Sequence, residues 1–142
     1  MSEKEVIQKI QNYSYYKARL KEVQEQLASM AYKVTATYGN LAAATSNSFT
    51  SKVETYGNRK YELHKKEAAI KASIAEIERL INCSGLDSKE SELMWWLANN
   101  GKLQAYARRE HIGKFNVYKI RDRALRKIIT ANEPQSVVLK LQ

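Results

Sequence analysis

Apolar residues along the first forty positions recur in heptads. Val6, Tyr13, Leu20, Leu27, Val34 and Leu41 take one seam position, and Tyr16, Val23 and Met30 take the other. A repeat of about 3.5 residues held over this length predicts a long helix that packs lengthwise on another helix. Ser2-Glu3-Lys4-Glu5 has the form of a capping box and sets its start. Gly39-Asn40 breaks the pattern, and Leu41–Thr50, small and polar without a period, reads as a loop. Ser51-Lys52-Val53-Glu54 has the form of a second capping box. It predicts a second helix to about Asn82, with a seam of Val53, Tyr56, Leu63, Ile70, Ile74, Ile77 and Ile81 and Leu80 beside it. Lys60 and Glu67 interrupt that seam. Two long helices joined by a short loop pack antiparallel.

Punctuation becomes denser beyond the second helix. Asn82-Cys83-Ser84-Gly85 ends it, with Gly85 placed for the left-handed C-terminal conformation. Asp87-Ser88-Lys89-Glu90 is a third capping box. It opens a short helix that offers Leu93, Met94, Trp96 and Leu97 for burial, and Asn99-Asn100-Gly101 stops it. Further helices are expected from Leu103 to Glu110 and from Lys114 to about Ala131, where Asn132-Glu133-Pro134 terminates the last one. The predicted fold is all-α: an N-terminal long antiparallel helical hairpin, coiled-coil-like, followed by a C-terminal helix-turn-helix unit. The corresponding domains are residues 1–85, 86–131 and a tail, 132–142, whose Val137, Val138, Leu139 and Leu141 fit a strand, a docking peptide or a frayed end equally.

Charge sharpens this picture. The 142 residues carry a net +9. Lys102–Lys127 holds nine bases (Lys102, Arg108, Arg109, Lys114, Lys119, Arg121, Arg123, Arg126 and Lys127) against Glu110 and Asp122, a net +7. A compact basic helical unit points first to a nucleic-acid surface. Within it, Ala107 fits the small residue needed where two helices cross, and Tyr106, Ile112, Val117 and Ile120 fit the apolar positions that lock the crossing. The turn is Glu110–Gly113, with His111 where φ is usually positive and a glycine or asparagine is common.

Leu103-Gln104, Ala107, Ile112, Val117 and the run Arg121-Asp122-Arg123-Ala124-Leu125-Arg126-Lys127-Ile128 resemble region 4 of bacterial sigma factors, the module that reads the −35 promoter element and touches RNA polymerase. The likeness covers about residues 87–130. The layout as a whole is similar to phage-encoded late-gene transcription regulators of the ArpU and RinA kind. This resemblance implies base contacts from Lys114, Phe115, Tyr118 and Lys119 at the start of the last helix. Region 4 of a housekeeping sigma factor has arginine, glutamate and glutamine there, so the aromatic pair implies a different target. Lys119 suits guanine O6/N7, and Phe115 suits a thymine methyl. Lys102, Arg108, Arg109, Asn116 and Arg121 are the phosphate candidates. For Arg123, Arg126 and Lys127, phosphates, polymerase and the dipole of their own helix remain three explanations.

Other chemistry is sparse. His64 and His111 lie in different segments, and Cys83 has no histidine near it in sequence. There is no zinc-ligand spacing and no glycine-rich phosphate loop. The expectation is therefore a protein that is not an enzyme and needs no metal or cofactor. It should be a cytoplasmic, sequence-specific DNA-binding transcription regulator of a phage or prophage, acting at a promoter of the bacterial host. Double-stranded DNA is the expected partner, with RNA polymerase and a homodimer through the N-terminal helices as further ones. No run approaches the roughly 18 apolar residues of a membrane span. Two rival readings are a DNA-packaging oligomer like a phage small terminase subunit, and a protein-binding adaptor that docks through Trp95, Trp96 and the tail.

Overall fold

The structure, a computed structural model, describes residues 2–40 and 46–133, with side chains at 2–31 and 53–133. Residues 41–45 of the expected loop, the side chain of Val34 and the tail from Pro134 lie outside that description. The fold is all-α. Its helices are α1 (Glu3–Gln11), α2 (Tyr13–Asn40), α3 (Ser46–Asn82), α4 (Ser88–Ala98), α5 (Leu103–Arg109) and α6 (Lys114–Ala131).

The first predicted helix is two. Ser2 caps α1 by accepting a hydrogen bond from the Glu5 amide, 3.3 Å. Asn12 then interrupts the helix. Its N–H is shared between the Gln8 and Lys9 carbonyls, and its own carbonyl restarts the ladder by accepting from Tyr16, 2.9 Å. The break leaves the apolar face in phase: Val6, Ile10 and Tyr13 stand at i, i+4 and i+7 and are all buried. Ile10 stood outside the predicted seam.

The second correction concerns α3. It begins at Ser46, not at the capping box at Ser51, so residues 46–50 of the expected loop are helical. Extending a formed helix fixes one residue per hydrogen bond gained, so a turn of weak helix formers is carried at small cost. Lys9 Nζ donates to Glu76 at 2.8 Å, and Tyr13 Oη donates to Glu78 at 3.2 Å. The end of α3 thus lies beside the start of the chain, as an antiparallel hairpin requires.

The chain separates into two compact units, Met1–Tyr16 with Ile74–Gln142, and Lys17–Ser73. In the Lys17–Ser73 unit, Val23 and Leu63 are buried and stand equally far from the five-residue link between α2 and α3. Glu67, which broke the predicted seam, is held at 3.6 Å from Lys71 one turn on. Val53, a predicted seam residue, is 40% exposed.

The other unit divides the chain elsewhere than at residue 85. Helices α4, α5 and α6 pack on one another, and α1 packs on both α4 and α6. Its core includes Val6, Ile10, Ile77, Leu80, Ile81, Leu93, Met94, Tyr106, Val117, Leu125 and Ile128. The helix-turn-helix is therefore completed by segments from both ends of the hairpin.

Three punctuation signals hold. Gly85 has φ +71° and ends α3 as expected. Asp87 and Glu90 form a reciprocal capping box: Asp87 Oδ1 accepts from the Glu90 amide at 2.8 Å, and Glu90 Oε1 from the Asp87 amide at 3.3 Å. The Glu90 amide beside Asp87 holds the Asp87 carboxyl below the usual carboxylate range. Asn100, at φ +65°, turns the chain between α4 and α5.

The tryptophans are occupied inside this unit. Trp95 meets the Tyr13 ring edge-on at 5.2 Å. Trp96 Nε1 donates to the Lys102 carbonyl at 2.9 Å, and its ring lies against Gly101. A Cβ at Gly101 would stand 2.3 Å from Trp96 Nε1. Gly101→Ala is accordingly expected to destabilise the protein by about 1–3 kcal/mol, as overpacking does. Urea denaturation followed by tryptophan fluorescence measures this, and an unchanged midpoint would refute the close approach.

Candidate nucleic-acid interface

Helix α5, a four-residue turn and α6 form the helix-turn-helix. Ala107 and Val117 are buried where the two helices approach, and the Ile112 amide donates to the Ala107 carbonyl at 2.8 Å. His111 adopts φ +55° at the predicted position. An imidazole tolerates that region better than a β-branched side chain would. Glu110, at the start of the turn, has a side chain 32% exposed that lies 3.7 Å from Arg109.

The buried side of α6 is Val117, Ile120, Ala124, Leu125 and Ile128. At about 100° per residue, the opposite side carries Phe115, Lys119 and Arg126 within about 40° of arc, with Arg123 alongside. Phe115 is 80% exposed.

The four expected base readers lie on the first two turns of α6 and divide between two sides of its exposed arc. Lys114 and Tyr118 line a hollow of about 340 Å³ between α5 and α6, together with Arg108 and Gln104. Phe115 and Lys119 lie further round, on the outer side. Asn116 and Lys119 share a second hollow, about 510 Å³, with Arg123 and Arg126.

The expected phosphate contacts also separate. Lys102 and Arg108 are exposed. Arg109 is exposed but lies over the Trp96 ring at 5.4 Å. Arg121 is half-buried, 3.2 Å from Asp122 and over the Tyr118 ring at 5.0 Å. It borders a third hollow, with Ile7, Gln11 and Lys102, and not the outer side of α6. Lys127 is drawn back to α4, where its Nζ donates to the buried Glu90. Six bases of the window, Lys102, Arg108, Lys114, Lys119, Arg123 and Arg126, form no ion pair among the described residues.

Sequence reasoning left Arg123 and Arg126 with three explanations. Their signal was the spacing Phe115, Lys119, Arg123, Arg126, which keeps to one side of a helix. Helix-dipole complementation does not account for them, since no basic residue stands in the last turn of α6 and the dipole's influence fades within that turn. Among the described residues no group of histidine, cysteine or carboxylate side chains is arranged to hold a metal, and no helix is long and apolar enough to cross a membrane.

Compared with family models, curated proteins and solved structures, the chain matches none.

Proposed function

We propose that this protein binds double-stranded DNA sequence-specifically through α6 and regulates transcription at a phage or prophage promoter, in concert with RNA polymerase. The observation that carries the reading is an exposed Phe115 and Lys119 on the outer side of a helix-turn-helix in which Lys114, Arg123 and Arg126 form no ion pair among the described residues. A solvated basic helix has no use for an exposed phenyl ring, whereas a major groove presents thymine methyls to it. In this reading Lys119 donates to guanine and Phe115 packs on a neighbouring thymine. Lys102 and Arg108 hold phosphates, which fix position without reading sequence. Helices α2 and α3 supply the surface for a second copy or for polymerase.

Selection from a randomised duplex pool, followed by binding measurements on the enriched site, tests this. Lys119→Ala is expected to cost about 1–3 kcal/mol on the enriched site and to relax preference at one base pair. A pool that enriches no sequence, or a Lys119→Ala protein with undiminished preference, would end the sequence-reading proposal.

A further inference from the structure

We infer that α6 lies along the major groove for three turns, with Arg123 and Arg126 on phosphates of the duplex whose bases Phe115 and Lys119 reach, while Arg121 takes no part. This rests on the DNA-binding reading above and specifies how the helix meets its ligand.

Phe115, Lys119, Arg123 and Arg126 are all exposed. They follow one side of α6 at i, i+4, i+8 and i+11, opposite Val117, Ala124 and Ile128. Asn116, Lys119, Arg123 and Arg126 border one hollow, with Asp122 as its one acidic lining residue. From Phe115 to Arg126 the axis advances about 16 Å at 1.5 Å per residue. The major groove is about 8.5 Å deep. A helix entering end-on would seat about its first one and a half turns and leave Arg126 clear of the groove floor. A helix lying along the groove keeps the whole row in reach, with aromatic and lysine at base edges and the two arginines at the phosphate rim.

Acidic groups near the row are already engaged. Asp122, at its edge, is paired with Arg121 at 3.2 Å. Asp87, whose carboxyl feels the charge of Arg123, accepts the Glu90 amide as a helix cap. Arg121 thus serves to neutralise Asp122 beside the DNA-facing row, and it is spent in doing so. An acidic protein surface is the other class of partner that two free arginines would suit. The continuity with Phe115 favours DNA, because an acidic patch offers that ring nothing.

The test uses the full chain and a defined 25-base-pair duplex carrying the enriched site, with affinity measured across a range of salt concentrations. Arg123→Gln/Arg126→Gln is expected to reduce the slope of log K against log salt by about 2, near 0.9 for each phosphate no longer neutralised. Arg121→Gln/Asp122→Asn, which removes a pair without changing net charge, is expected to leave the slope as in the parent. Both pairs are surface changes, and circular dichroism melts confirm that each variant remains folded. If the Arg123/Arg126 variant keeps the parental slope while Lys119→Ala still loses preference, α6 enters end-on and this inference is overturned, with DNA binding intact. A loss of slope equal in both double variants overturns it as well. If the parent protein binds no duplex at low salt, the DNA-binding reading fails first.

Discussion

Lys127→Met is expected to lower the stability of the protein by about 3 kcal/mol. Glu90 is fully buried, and its Oε1 accepts from both Lys127 Nζ and the Asp87 amide. Its Oε2 has no hydrogen-bond partner among the described residues. Removing the ammonium strands a carboxylate in the core with one amide to solvate it, and uncompensated buried charges cost on that order. Methionine keeps the aliphatic stem, so packing is largely retained. The neighbouring Arg126→Met removes an equal charge from an exposed position and is expected to stay within about 0.5 kcal/mol. Guanidinium chloride unfolding of the two variants separates the cases. Equal losses would mean that Glu90 does not depend on Lys127. The comparison also bears on function, since it takes Lys127 out of the set of cations available to a ligand.

Ile10→Ala is expected to cost about 2–4 kcal/mol, the range for emptying a fully buried aliphatic site. The loss should appear far from position 10 in sequence. Helix α1 packs on α4 and α6, so the cavity opens against the helix proposed to meet DNA. Hydrogen exchange should accelerate at amides of α4 and α6. Acceleration confined to residues 17–73 would show instead that α1 belongs with the hairpin. A fragment beginning at residue 86 lacks Val6, Ile10, Ile77, Leu80 and Ile81 and exposes the apolar sides they cover.

These two expectations also mark what was legible in the sequence. Punctuation was legible, because its chemistry is local. Gly85, the Asp87–Glu90 box and His111 each declare a backbone state within three or four residues. The helical period was legible for the same reason, and with it the all-α class. The start of α3 was misread, because Ser51 to Glu54 fits a cap that the helix runs through. The placement of α1 was not legible, since its heptad positions say that it packs on a helix but not that the partners are α4 and α6. The partners of charged residues were hidden too. Glu90 and Lys127 are 37 residues apart, and nothing local distinguishes Lys127 from Arg126. The side-chain directions on α6 were recoverable from spacing, but the density of bases between Arg121 and Lys127 hid the fact that they point three ways. Arg121 turns to Asp122, Lys127 to Glu90, and Arg123 and Arg126 outward.

The discontinuity of the unit that carries α6 has a kinetic side. Its first helix is made before the hairpin and its last helix after it, so α1 must wait for α4 and α6, which follow the whole hairpin in sequence. Closing so long a loop as random coil is slow, and contacts of this range dominate folding times. If Lys17–Ser73 folds first, it brings Tyr16 and Ile74 together and shortens the loop still to be closed to the residues from α4 onward. Substitutions that loosen the hairpin, such as Val23→Ala or Leu63→Ala, would then slow the assembly of a surface to which those residues do not belong.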